Sequence, residues 1–223
     1  PASWEGLDFE PLTLATIANM GLCDDVEGDG RGGWTDQGEN DMRLFLTTLE
    51  PIDPLVPGQH QGAPRFALTT RGVPFQIVNP QTNRGTCIVT LRSKNTPQLP
   101  DGSDPLPLNR QADRLFFLHA TGWAAPDLPI ARYIVHYADG EKIEIPLVYG
   151  RDIQDWFAAP ADLPNAWPAW TGPNPMRDRV SLYAVSWRNP HPERAIESVR
   201  METCDTACPP IWLALTAACD AGT

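Results

Sequence analysis

Proline and glycine punctuate this chain so closely that no long helix can form, and this limits its fold more than any other feature. The 223 residues include 24 prolines and 17 glycines. A proline inside a helix removes one N–H and clashes with the carbonyl one turn back. "PLTLATIANM" leaves room for a turn or two of helix and "DIQDWFAA" for another; prolines end every longer candidate. What survives between the breaks is extended. "RLFLTTL", "CIVTLR", "RLFFLHA", "ARYIVHYADG", "KIEIPLVYG", "SLYAVSWRNP" and "IWLALTA" are short, rich in β-branched and aromatic residues, and bounded by Pro, Gly, Asn or Asp.

The clearest hairpin is "YIVHYADGEKIEIPL". Asp139-Gly140 sits between two alternating runs, as a two-residue primed turn requires. In its second arm Ile143, Ile145 and Leu147 take one face, while Lys142, Glu144 and Pro146 take the other. Many strands and few helices predict an all-β fold, a β-sandwich of jelly-roll type, and not an alternating α/β one. The length suits one domain over residues 1–223. Within it, "NTPQLPDGSDPLPLNR" (Asn95 to Arg110) reads as a long surface connection, because strand patterns resume on both sides.

Charge narrows the partners. The net charge is −11, and two lysines (Lys94 and Lys142) stand against fifteen scattered arginines. Phosphate backbones and anionic lipid call for clustered Lys and Arg, so neither nucleic acid nor a membrane surface is expected as partner. No apolar run reaches the roughly 18 residues of a membrane span. Of the five cysteines, Cys204 and Cys208 in "CDTAC" could close a small loop and Cys23 could meet Cys87 across a sheet. Spacing decides neither pairing.

The acids are least evenly spread in "DDVEGDGRGGWTD" (Asp24 to Asp36). Counted from Asp25, acids fall at positions 1, 3 and 5 (Asp25, Glu27, Asp29), Gly30 at 6 and Asp36 at 12, the register of a twelve-residue calcium loop. Carboxylates this close repel unless a divalent cation shares them. Asp25, Glu27, Asp29 and Asp36 are therefore the expected ligands of a structural Ca²⁺. A metal-free, hydrogen-bonded glycine turn is the competing reading, since Gly32 stands at position 8 and no amphipathic helices flank the run.

Beyond it come "GGWTDQGENDMR", "GVPFQIVNP", "RLFFLHATGW", "YIVHYADG", "IPLVYGRDIQDW", "YAVSWRNPHPERAIESV" and "LALTA". In this order the chain resembles bacterial galactose-binding-like β-sandwich modules, the jelly-roll accessory domains of secreted polysaccharide-degrading enzymes. "CDTACPP" does not belong to that pattern. The resemblance implies a module that binds a polysaccharide or oligosaccharide without cleaving it, outside the cell or in the periplasm, within a larger multidomain enzyme. It also implies a structural calcium near the sandwich edge, with Glu193 or Glu197 adding to Asp25, Asp29 and Asp36.

A sugar site needs flat aromatic rings for C–H faces and polar groups for hydroxyls. "DLPNAWPAWTGPNP" (Asp162 to Pro175) supplies Trp167 and Trp170 in a proline-stiffened loop, with Asn165 and Asn174 beside them. Pre-ordering of this kind lowers the entropy cost of binding. Trp123, Trp156 and Asp155 are expected on the same rim. Core packing competes for each tryptophan and is the expectation for Trp187 and Trp212; Trp34 would cover the metal loop. His119 and His136 read as hydrogen-bonded core or sheet-face histidines, and His191 as a turn residue.

Nothing in the chain matches "GxSxG", "HExxH", a phosphate loop or a dinucleotide fingerprint. Glycoside hydrolysis needs two carboxylates across a cleft. Asp127, Asp152, Asp155 and Asp162 are available for a glycan-active enzyme, the alternative function, with Asp155 the first to test. A protein-interaction module, its aromatic loop buried on a partner, is the third.

Overall fold

The computed structural model describes residues 4–21, 66–174 and 177–222. Apart from the short 3-10 turn Pro80–Thr82, its regular elements there are all strands. In chain order they are β1 (Leu7–Leu12), β2 (Ala67–Thr70), β3 (Val73–Gln76), β4 (Val89–Thr90), β5 (Leu106–Arg110) and β6 (Arg114–Thr121). β7 (Pro129–Tyr137), β8 (Lys142–Val148), β9 (Ala166–Asn174), β10 (Arg177–Arg188), β11 (Ile196–Thr203) and β12 (Pro210–Asp220) follow. One sheet runs β1-β12-β6-β10-β9, with β4 also on β12; a second runs β5-β11-β7-β8; β2 and β3 form a hairpin of their own. Every strand pair is antiparallel. The fold is all-β and sandwich-like.

The run Leu115 to Thr121 in β6 shows why two layers are not enough. It is buried at every position, not at alternate ones. Its odd residues face the second sheet: Phe117 stacks on Tyr133 of β7 with ring centroids 3.9 Å apart. Its even residues face outward, where Phe116 meets Trp4 at 5.0 Å and Phe9 at 5.8 Å. The β2–β3 hairpin covers this outer face as a third layer. It is held by a hydrogen bond from Thr216 of β12 to the Pro74 carbonyl and one from Trp167 Nε1 to Thr70 Oγ1 at 3.2 Å. A strand enclosed on both sides reads as a continuous apolar run, as this one does.

His119 points inward from β6 and is wholly buried. Its Nε2 lies 2.9 Å from the Asp152 carbonyl oxygen and its Nδ1 3.1 Å from Tyr133 Oη. A carbonyl only accepts, so Nε2 carries the proton and Nδ1 accepts from the tyrosine. Burial holds the pKa of the imidazole down to about 4, against the upward pull of the backbone hydrogen bond to Asp152.

Six of the seven expected strand segments lie within the described residues, and each contains a strand; "RLFLTTL" (43–49) lies outside them. Four details differ. Neither expected helical turn is an α-helix: Leu14 to Ala18 makes a single turn. The residues from 151 to 158 are held in turns, because Trp156 N donates to the Thr121 carbonyl and the Trp156 carbonyl accepts from Ser181 N. The connection Asn95 to Arg110 ends in β5. The Asp139-Gly140 turn is three residues long, with Gly140 N bonded to Tyr137 O and Tyr137 N to Glu141 O. Only Gly140 there has a positive φ, +90°, whereas a primed type I turn needs two such residues.

That two-residue turn occurs elsewhere. Arg71 (φ 49°) and Gly72 (φ 81°) join β2 to β3 directly, both left-handed. Among the cysteines, Cys204 and Cys208 are separate thiols and Cys87 is buried in the core; Cys23 lies outside the described residues. Burial raises the Cys208 thiol to about 11 and raises that of Cys204 as well. No helix among the described residues is long and apolar enough to cross a membrane.

Candidate functional site

The site begins with the bulge in β9. Trp167 pairs with Ala184 and Trp170 with Leu182, positions only two apart on β10, so one residue between the tryptophans is extra. The extra residue returns both indoles to one face of the sheet, the outer one. Trp167 then meets Trp4, ring centroids 6.3 Å apart, and the two form the floor of a hollow beside the β2–β3 hairpin.

Two guanidiniums flank that floor. The hairpin turn carries Arg71 over the Trp167 ring at 5.3 Å, and its Nη2 pairs with Asp162 Oδ1 at 2.8 Å. Arg114, the first residue of β6, lies 5.2 Å over the Trp4 ring and donates from Nη1 to Ser186 Oγ at 3.2 Å. The loop Asp162 to Ala166 closes the third side. Leu163 N donates to Ala166 O, Asn165 N to Arg151 O, and Asn165 Nδ2 to Asp152 Oδ1 at 2.7 Å. The hollow holds about 370 Å³. It therefore offers two indoles, two planar cations, one carboxylate and one amide. That inventory offers apolar edges for C–H groups and planar donors for oxygens.

The expected ligand residues divide across the molecule. Trp167 belongs to the hollow, but it lies in a strand, 5% exposed, and not on a loop. Trp170, also 5% exposed, lies farther along the same strand. Trp156 is 1% exposed and packs edge-on against Phe157 at 4.8 Å, so it presents no ring face to solvent. Trp123 lies just beyond the end of β6 in a left-handed conformation (φ 56°), partly buried against the core. Asp155 bridges to Thr121, which brings it and Trp156 to the end of β6 where Trp123 lies. Its Oδ1 accepts from Phe157 N at 3.0 Å. Asn174 is the last residue of β9. The loop Asp162 to Pro175 is thus a correction: from Ala166 it is an edge strand, where a proline costs no ladder bond.

The loop carboxylates have structural partners as well. Asp152 Oδ2 accepts from Val148 N at 2.8 Å while its Oδ1 holds Asn165. Asp162 is held by Arg71. Asp127 is exposed at a left-handed turn position. The calcium ligands Asp25, Glu27, Asp29 and Asp36, with Trp34, lie outside the described residues. Glu193 lies in the turn after β10 and Glu197 on β11, both exposed. No group of three or more His, Cys, Asp or Glu side chains among the described residues is placed to hold a metal ion.

Trp4, Arg71, Arg114 and Ser186 belong to the hollow without being marked as site residues by any pattern singled out in the sequence. A signal existed for Arg71: "ALTTRGVPFQ" is two short extended runs around a two-residue break ending in glycine. For Arg114 the sign was a lone charge opening an apolar strand. Nothing local joins Trp4 to a residue more than a hundred positions away. Compared with known protein families, curated proteins and solved structures, the chain matches none.

Proposed function

We propose that this chain is a non-catalytic carbohydrate-binding module, and that the hollow of Trp4, Arg71, Arg114, Asp162, Asn165 and Trp167 seats the sugar. The observation that carries the reading is the indole pair flanked by two fixed guanidiniums. Saccharide rings are recognised by that combination of apolar floor and directional donors. The scaffold would be a jelly roll: from β5 to β12 the chain passes repeatedly between the two facing sheets, which supports the assignment. Such a module would serve outside the cell or in the periplasm, attached to a polysaccharide-degrading enzyme. Affinity electrophoresis of the whole chain through gels holding neutral and acidic polysaccharides tests this. We expect retardation by at least one of them, weakened in Asn165→Ala and Asp162→Ala. Free migration through every gel would refute it.

The same proposal includes a structural calcium at Asp25, Glu27, Asp29 and Asp36, supported by their spacing. Calcium would then raise the unfolding midpoint, chelation would lower it, and Asp29→Asn would abolish the difference. A midpoint indifferent to calcium would remove the ion from the account.

A further inference from the structure

The arginines of intermediate burial do not behave alike. Arg92, Arg110, Arg132, Arg194 and Arg200 each have a carboxylate within ion-pair distance. Arg114 is the exception: partly buried, it has no carboxylate partner among the described residues. Of its five N–H donors, one goes to Ser186. Arg84, Arg151, Arg179 and Arg188, which also lack carboxylate partners there, are exposed, where water serves a charge well.

A half-buried cation loses hydration, and proteins ordinarily restore the loss with an anion. Restoring it would have been simple in a chain of net charge −11. Instead Arg188 of β10 lies directly opposite Arg114 on the β6–β10 ladder. Like charges in that position are unfavourable. The carboxylate that the hollow does contain, Asp162, is paired with Arg71.

We infer that the hollow takes an acidic saccharide, and that Arg114 receives the sugar's carboxylate. The inference rests on the carbohydrate reading above and narrows it to a class. The guanidinium, 5.2 Å over the Trp4 ring, is a planar fork whose remaining N–H groups suit a carboxylate in the two-pronged geometry this pair favours. Arg71, Asp162 and Asn165 remain for the hydroxyls.

The test compares four gels: polygalacturonate, its fully methyl-esterified form, a neutral galactan, and polyglutamate matched in charge. We expect retardation by polygalacturonate and about ten- to a hundredfold weaker binding to the ester, the range for loss of a hydrogen bond to a charged group. Arg114→Gln should lose the preference for acid over ester while its thermal midpoint shows it folded. Arg114→Lys, which keeps the charge and loses the fork, should bind several-fold more weakly. Equal retardation by acid, ester and galactan would overturn the carboxylate assignment and leave the sugar reading standing. Retardation by polyglutamate as strong as by polygalacturonate would reduce the effect to charge. Acid-selective binding indifferent to both Arg114 variants would move the site elsewhere. No retardation by any polysaccharide would sink both readings together.

Discussion

Lowering the pH should destabilise this fold through His119. The neutral ring satisfies both neighbours, with Nε2–H on the Asp152 carbonyl and Nδ1 accepting from Tyr133. The protonated ring would place a charge in a wholly buried site, where burial holds its pKa to about 4. In the unfolded chain the same histidine titrates near 6.5. Between those values the unfolded state takes up a proton that the folded state refuses, so stability falls as the pH drops from 6.5 to about 4 and is unaffected by this group above 6.5. At about 1.4 kcal/mol per unit of pKa difference, the loss is about 3 kcal/mol. Denaturant unfolding of the native chain and His119→Gln at several pH values between 7.5 and 4 isolates the effect. The amide of glutamine keeps a donor and an acceptor without titrating, and subtraction cancels every carboxylate common to both. The native chain should start more stable at pH 7.5, and its advantage should shrink by about 3 kcal/mol by pH 4. A constant difference across the range, or a His119 resonance titrating near 6.5 in the folded protein, would refute the reasoning.

Three further outcomes follow from single contacts. A Cβ on Gly172 would overlap the Trp170 indole, so Gly172→Ala should cost about 1–3 kcal/mol in thermal unfolding; a neutral result would mean that the ring does not lie there. Buried Asn189 accepts from Tyr137 Oη at 2.5 Å and donates to the Ala112 carbonyl at 2.8 Å. Asn189→Leu strands both partners and should cost about 2–4 kcal/mol by denaturant titration. Arg71 occupies a left-handed position that asparagine tolerates better, and its pair with Asp162 is exposed. Arg71→Asn should thus leave the unfolding free energy within about 1 kcal/mol of the native value while weakening retention by polysaccharide, and a large loss of stability would contradict it.

Local chemistry made the strands legible. Alternation along Lys142 to Leu147 predicts which residues face inward, and the burial of β8 follows it. The turns were harder to read because the same residues serve several geometries. Asp-Gly suits a primed turn, yet Asp139 accepts from Glu141 N at 3.2 Å, and Arg194 pairs with Asp139 and Glu141. That arrangement leaves only Gly140 left-handed. Arg-Gly is a poor primed-turn sequence by preference, but Arg71 adopts it and so reaches Trp167 and Asp162. The site was legible only in Asp162, Asn165 and Trp167. Its other members come from the N-terminal segment, the hairpin, β6 and β10, and pairing between strands brings them together.

Proline, read first as a breaker of helices, also orders the strands. The strands that end the two main sheets each carry a proline inside the strand, Pro11 in β1, Pro168 in β9, Pro107 in β5 and Pro146 in β8; only the two-residue β4, alongside β12, has none. The interior strands β6, β10 and β11 have none, and β7 and β12 have one only at the first residue, Pro129 and Pro210. A residue without an N–H leaves a gap in a ladder bonded on both sides but not where one side is free. An edge proline also blocks pairing with another chain. The placement bears on the site, because β9 is an edge with Pro168 beside its bulge, and that bulge sets Trp167 facing Trp4. The prolines of "NAWPAWTGPNP" are thus compatible with an edge strand, and the aromatic floor depends on that strand's irregularity.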